Sequence, residues 1–410
     1  NIMLERGFYN QCTNEEGFDQ YLSECEQKGT PAVGYLGSDP TGDSLHVGHI
    51  VPLMMMRWFQ KCGHKPLTLV GGATARIGDP SGKDKLRPFL SEETLAHNIE
   101  GLKKSFGKFL KFGDGRNDAV MVDNWDWFKD INYLSFLRDI GTYYSVNRML
   151  TMDSVKSRLD REQPMSFLEF NYMLLQGYDF CELYRKYGCR AQIAGSDQWG
   201  NITSGTELGR RKYDVELFGF TSPIITDSAG RKMGKSEGNA VWINEDKLPA
   251  YDYYQYFRNI GDAEVGKCLR IYTDLPMDEI RRLEDLKDQE INEAKKILAF
   301  EATKICRGFD EAKAAEETAV KTFEQGGIGG ELPTLEKDNI TGLSVLDAFV
   351  EIGFCASKGE VRRLIKQNGI RVNDRAISDE NYVFDESDIV DGQIKIAQGK
   401  KKFGLIKQAG

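Results

Sequence analysis

Five short apolar runs punctuate the first half of the chain: Ala32 to Leu36, Pro66 to Val70, Val120 to Val122, Ala191 to Ala194 and Pro223 to Thr226. Each is bounded by Gly, Pro, Asp, Asn or Ser, which is the pattern of a buried strand ending in a turn. Between them the apolar positions recur at helical spacing. Phe18, Tyr21, Leu22 and Cys25 mark a helix ending before Gly29, Ile50 to Phe59 a second, and Glu169 to Phe180 a third. Strands alternating with helices over residues 30 to 230 predict an α/β domain with a doubly wound, Rossmann-like parallel sheet. After Lys247 the pattern turns helical, with Ile291, Ala294, Leu298, Ala302 and Ile305 on one face. Four glycines and a proline between Gln325 and Pro333 then interrupt it, as a linker does. A small α+β module closes the chain. The expected division is 1–246 (α/β), 247–325 (helical), 326–344 (Gly-rich linker) and 345–410 (small module).

The stretch from Tyr35 to His49 joins the first strand to its helix through Gly37, Asp39, Pro40, Thr41 and Gly42, and it ends in His46-Val47-Gly48-His49. Pro52 lacks an N–H, which does no harm only within the first four helical residues, so the helix is expected to begin near Gly48 or His49. The two imidazoles then sit at its mouth, where free N–H groups and the positive end of the dipole suit polyphosphate. A metal site is the competing reading of two histidines at this spacing. With four histidines in the chain and no cysteine pair nearby, metal is not expected. Far downstream, Lys232-Met233-Gly234-Lys235-Ser236 lies between Gly230 and Gly238. Two lysines in a glycine-hinged loop make a cationic clamp for phosphate, although a lysine pair alone is more often a solvated turn.

Three further segments carry polar residues in otherwise apolar settings. Tyr172, Gln176 and Asp179 fall at i, i+4, i+7 and share one helix face, a place for reading a polar ligand. Gln192 lies on the strand before Gly195-Ser196-Asp197-Gln198, at a carboxyl edge where open α/β sheets bind ligands. The run Gly71 to Lys83 suggests a P-loop but fails the spacing: three residues separate Gly78 from Gly82-Lys83, and Asp84 follows. Its glycines are read instead as admitting a ligand to the backbone, with Asp79 supplying charge. The aromatic segment from Asn124 to Leu137 is read as core, Asn124 excepted, with part of its surface available to a second subunit.

At 410 residues with a net charge of −9, the chain holds several domains and is no uniformly basic nucleic-acid coat, so any RNA contact is a local patch. Eight scattered cysteines fit a reducing cytosol. No apolar run reaches the ~18 residues of a membrane span, and no secretory leader pattern is visible. The tail from Val345 holds eleven Lys/Arg against ten Asp/Glu, in contrast to the acidic remainder. Lys358, Arg362, Arg363 and Lys366 lie on one helical face of it, and Lys400, Lys401 and Lys402 add a basic cluster.

The His-x-Gly-His loop paired with Lys-Met-Gly-Lys-Ser resembles the two signatures of class I aminoacyl-tRNA synthetases. Together with Gly71 to Lys83, Glu169 to Phe180 and Gly195 to Ile202, the chain resembles bacterial-type tyrosyl-tRNA synthetases over nearly its whole length. The resemblance implies a catalytic α/β domain, an anticodon-binding helical domain and an S4-like RNA-binding module. It implies a ligase using L-tyrosine, ATP (with Mg2+ accompanying it) and tRNA(Tyr), a cytoplasmic homodimer, and no membrane or DNA partner. It places Thr41, His46, Lys232, Lys235 and Ser236 on the pyrophosphate and His49 on the ribose. Gly37, Asp39, Gly48, Gly195 and Asp197 fall to the nucleotide, with Lys83 and Arg87 as further phosphate contacts. Tyr35, Asp79, Asn124, Tyr172, Gln176, Asp179, Gln192 and Gln198 fall to tyrosine, and Lys358, Arg362, Arg363 and Lys366 to tRNA. The alternative is a tryptophanyl-type synthetase or another nucleotidyl transferase. Leu36 departs from the pattern where a cysteine can occur, which removes one polar contact to ribose.

Overall fold

The computed structural model describes every residue except 81–89, 228–229, 237–238, 324–331, 391, 400–401 and 409–410. The described chain divides into two compact units, Asn1–Phe309 and Asp310–Gly410.

The first unit is built on a six-stranded sheet. Its strands are β1 (Gln11–Cys12), β2 (Val33–Ser38), β3 (Lys65–Val70), β4 (Val120–Asp123), β5 (Ala191–Gly195) and β6 (Phe218–Ser222), in the spatial order β1-β6-β5-β2-β3-β4. All neighbours run parallel except the edge pair β1–β6. Strand order therefore reverses between β2 and β5, which opens a crevice at their carboxyl ends. One expected strand is displaced. Pro223 to Thr226 is not in the sheet; β6 precedes it, every residue of β6 is buried, and Phe220 pairs with Ile193. Pro223 cannot donate to a ladder, so the sheet ends where the apolar pattern alone would begin it. Among the described residues Thr226 makes an isolated bridge, to Lys232.

The helices around this sheet include α1 (Glu15–Gln27), α2 (Val47–Lys61), α3 (Glu92–Gly107), α4 (Phe167–Tyr187) and α5 (Trp199–Tyr213). Then follow α6 (Ala250–Arg258), α7 (Val265–Tyr272) and α8 (Ile291–Arg307). Residues 247–309, expected as part of a separate domain, belong to the same compact unit. Arg6 is one reason. It is 3% exposed, stacks 4.0 Å over Trp58 of α2, and donates to the carbonyls of Arg270 (2.9 Å), Thr273 (3.0 Å) and Leu275 at the end of α7. Burial lowers its pKa to about 10, and the carbonyls with Asp274 offset that penalty. Beside it, Arg57 of α2 makes a two-pronged pair with Asp274, at 2.6 Å for Nη2 to Oδ2. Neither tie is visible as a local pattern in the chain.

The second unit holds a five-stranded sheet of β9 (Thr334–Lys337), β10 (Ile370–Val372), β11 (Arg375–Ala376), β12 (Gln393–Gln398) and β13 (Lys402–Gln408), ordered β11-β10-β12-β13-β9. The expectation of a linker running to residue 344 is corrected here. β9 pairs in parallel with β13, and Ile340 is buried with Val345, Phe349 and Ile396. Glycine content marked where the chain is interrupted, but not that the following four residues satisfy a sheet edge. Helix α9 (Lys358–Lys366) buries Val361 and Ile365 in this core and leaves Lys358, Arg362, Arg363 and Lys366 exposed. Of these, Lys358 pairs with Asp347 (2.5 Å) and Arg362 approaches Glu380 (3.9 Å).

Candidate active site

The crevice between β2 and β5 is a cavity of about 570 Å³. Helix α2 opens onto it, and its start is set by reciprocal capping. His46 is the N-cap; its Nδ1 accepts from Gly48 N–H (3.0 Å), while His49 Nδ1 accepts from His46 N–H (3.2 Å). Accepting at Nδ1 puts the proton of each neutral ring on Nε2, so the cap selects the tautomer of both imidazoles. The rings lie 3.9 Å apart between centroids and line the cavity.

Two expectations about this helix change. It begins at Val47, so Pro52 is its sixth residue rather than one of the first four, and the Gly48 carbonyl has no N–H donor four residues on. The first-turn N–H groups are also not free. Val47 donates to Val241 O (2.9 Å), Gly48 to His46, and His49 to His46 O (2.8 Å). An anion here meets the side chains and the dipole, not open backbone donors.

One end of the cavity is polar and acidic. Tyr35 and Gln192 enter from β2 and β5, and Tyr172, Gln176 and Asp179 from one face of α4, where Ser166 and Glu169 form a capping box. Asp179 is 1% exposed and accepts from Trp127 Nε1 (2.8 Å) and Asn124 Nδ2 (3.0 Å). Burial pushes its pKa well above the usual carboxylate range, and the two donors pull against it. Asn124 does not line the cavity; it stands behind Asp179 and also donates to Thr74 Oγ1 (3.1 Å). Thr74 donates to Asp39 Oδ1 (2.7 Å), whose Oδ2 accepts from Tyr172 (3.1 Å). A continuous hydrogen-bonded chain thus joins Asp179 to Asp39 through Asn124 and Thr74. Tyr35 Oη, Gln176 Oε1 and Gln192 Oε1 are buried with no hydrogen-bond partner among the described residues. Buried polar atoms are costly unless paired, so three such atoms in residues lining one cavity mark where a polar ligand docks.

Asp79, Asp197 and Gln198 continue this wall. Gln198 Nε2 donates to Asp79 (3.0 Å) and to Asp197 (3.3 Å), and its Oε1 accepts from Asn201 (3.1 Å). Gly37, Asp39, Thr41, Gly48 and Gly195 also line the cavity. Two glycines after β3 leave room for side chains: a Cβ on Gly71, which lines the cavity, would stand 2.0 Å from Asp39 Oδ1, and one on Gly72 2.3 Å from Asp123 Oδ1.

The opposite end is cationic. Lys232 and Met233 line it beside His46 and Trp242. Lys235 and Ser236 form a two-residue strand, β7 (Lys235–Ser236), paired antiparallel with β8 (Asn239–Ala240). Lys83 and Arg87 lie outside the described residues. Sequence reading missed Thr74, Trp127, Trp242 and Asn244. Asn244 is 2% exposed and stitches the segment after the lysine loop to the one before His46: its N–H donates to Ser44 Oγ (3.1 Å), its Nδ2 to Asp43 O (3.0 Å) and Gly101 O (3.0 Å), and it accepts from Ser105 (2.9 Å). The only hint in the sequence was the aromatic weight around Trp125 and Trp127, which packing explains equally well.

A cavity with carboxylates at one end and imidazoles with a lysine at the other suits a ligand that is cationic at one end and polyanionic at the other. Comparisons with known proteins agree. Residues 27–324 match the family described as tRNA synthetases class I (W and Y), and residues 323–406 match the Tyrosine--tRNA ligase SYY-like C-terminal domain. The Tyrosine--tRNA ligase of Rhodospirillum rubrum is 52% identical over 409 residues, covering 99% of this chain and 97% of the relative. That of the Wolbachia of Brugia malayi is 52% identical over 405 residues, covering 98% and 96%. Among solved structures, a C-terminally truncated Aspergillus nidulans mitochondrial tyrosyl-tRNA synthetase matches with TM-score 0.69 at 29% identity, over 78% of this chain and 93% of that one. The chain therefore belongs to the class I tRNA synthetases of the tryptophan and tyrosine group and, within it, to the tyrosine–tRNA ligases.

Proposed function

We propose that this cavity joins L-tyrosine to ATP and that the chain then esterifies the 3′-terminal adenosine of tRNA(Tyr). The tyrosine carboxylate attacks the α-phosphate, a P–O bond forms to the carboxylate oxygen, the bond to the β-phosphate bridging oxygen breaks, and pyrophosphate leaves. The tRNA hydroxyl then takes the tyrosyl group and releases AMP. No side chain needs to become covalently attached, so the protein's part is positioning and stabilisation of developing charge.

In this reading Tyr35 and Asp179 meet the phenol hydroxyl, Asn124 holds Asp179, and Asp79, Tyr172, Gln176, Gln192 and Gln198 surround the ammonium and backbone of the amino acid. Asp39, Gly37, Gly48, Gly195 and Asp197 contact the nucleoside, with His49 at the ribose. Thr41, His46, Lys232 and Lys235 stabilise the leaving pyrophosphate, with Ser236, Lys83 and Arg87 in support. Mg2+ arrives on the ATP phosphates as part of the substrate. Residues 247–325 face the anticodon arm, and Lys358, Arg362, Arg363 and Lys366 bind tRNA phosphates. The protein acts as a cytoplasmic homodimer. Exposed Leu134 (73%) and Tyr133 (55%), in the aromatic segment, support an apolar contact there.

The observation that carries this reading is that one cavity unites the Tyr35–Asp179 end with both histidines and Lys232. ATP–pyrophosphate exchange across all twenty amino acids tests it. Exchange is expected with tyrosine alone; equal exchange with tryptophan, or none with any amino acid, refutes it.

A further inference from the structure

The lysine loop is held from a place that neither signature touches. Gly234, at its centre, has φ +85° and lies against the start of α2; a Cβ there would fall 2.8 Å from Gly48 N and 3.2 Å from Val47 Cβ. Its carbonyl accepts from Val241 N–H (3.1 Å), and the Val241 carbonyl in turn accepts from Val47 N–H (2.9 Å). Its own N–H donates to the phenol oxygen of Tyr256 (3.2 Å), which projects from α6. Met233 N–H is held by Ile225 O (2.9 Å). Every backbone tie but one in this set is to neighbouring loop or to the α2 start. The exception is Tyr256 of α6, whose ring packs edge-on against its helix neighbour Phe257 at 5.1 Å.

We infer that Tyr256 is a positioning residue for adenylate formation, whose phenol oxygen docks the lysine loop on the amino end of α2 so that Lys232 reaches the leaving pyrophosphate. A glycine with positive φ has many alternative conformations, and one specific acceptor for its N–H selects among them. Because the acceptor sits on α6, the helical part of the unit thereby sets the geometry of the loop. Tyr256 is not among the residues lining the cavity. The inference rests on the reading above that the lysine loop serves the first half-reaction.

The test is single-turnover tyrosyl-adenylate formation by the full chain, with tyrosine affinity measured separately, for Tyr256→Phe, Lys232→Ala and the double variant. Tyr256→Phe keeps the ring and its packing and removes only the acceptor. It is expected to slow adenylate formation by about three- to tenfold, the worth of one neutral hydrogen bond, at unchanged tyrosine affinity and with melting lowered by no more than about 4 °C. In the Lys232→Ala background the extra loss is expected to be clearly smaller than in the wild type, because one of the groups being positioned is gone. A merely structural tyrosine would weaken tyrosine affinity as well, or would multiply fully with Lys232→Ala; either result overturns the inference. So does a Tyr256→Phe rate equal to the wild type's while Lys232→Ala is slow. A wild-type rate for Lys232→Ala would instead overturn the reading of the loop, and the inference with it.

Discussion

Trp127→Phe isolates one hydrogen bond to the buried carboxylate that is expected to read the substrate hydroxyl. Trp127 Nε1 donates to Asp179 Oδ1 at 2.8 Å, and Asp179 is 1% exposed, so no solvent screening dilutes the bond. A hydrogen bond to a charged group is worth about 1.5–3 kcal/mol. Asn124 remains as the other donor. Removing the indole N–H therefore weakens the ionised form of Asp179 against the protonated one by roughly that amount, on top of the burial that already holds its pKa high. Accepting the tyrosine hydroxyl requires the ionised form. The acidic limb of kcat/KM for tyrosine should move to higher pH, with a loss of about 10- to 100-fold where Asp179 becomes protonated, recovering as pH rises. Phenylalanine carries no hydroxyl, so its weak activity should show no such movement, and the tyrosine-to-phenylalanine ratio should fall at low pH and recover at high pH. Stability runs the other way. A group whose folded pKa lies above its unfolded one contributes stability that is full below the unfolded value and lost as pH rises through the folded value, so the variant should be relatively most stable in mild acid. The assay is pyrophosphate exchange with both amino acids from about pH 5 to 9, with Tyr35→Phe as reference. That variant removes a neutral donor and should lower the ratio by about tenfold without moving the limb. A Trp127→Phe ratio independent of pH, or a limb moving to lower pH, would refute the reasoning.

Lys235→Ala should slow adenylate formation on the order of 10²-fold or more while leaving tyrosine affinity within a few-fold, because its charge acts mainly in the transition state; pre-steady-state rates check this. A chain ending near Gly330 should still exchange pyrophosphate but fail to charge tRNA at moderate salt, and aminoacylation assays decide it. Light scattering at micromolar concentration should give about twice the chain mass of 46.4 kDa; the monomer mass would exclude the homodimer.

Much of the chemistry was legible because it is local. A helix mouth needs its capping residues within four positions of one another, and the stripe of Tyr172, Gln176 and Asp179 follows from helical period alone. Gly and Pro punctuation placed β2, β3, β4 and β5 to within a few residues. It misplaced β6, because propensity fits Ile224 and Ile225 as well as Phe218 and Phe220, and only pairing with β5 decides.

What the sequence determined by itself is the set of short-range devices: the two signature loops, the polar stripe, the alternation of strand and helix, and the basic face of α9. What only the tertiary structure decided is which groups those devices meet. Asp39, Thr74, Asn124 and Asp179 lie up to 140 positions apart in sequence yet form one hydrogen-bonded chain. The backbone donors of the α2 start are spent on His46 and Val241, and the N–H of Gly234 on a tyrosine two elements away. The reason is that local patterns follow from backbone period and turn chemistry, which each segment carries within itself. A buried polar atom instead takes whatever partner the packed fold brings within about 3 Å, and that choice is made across the whole unit.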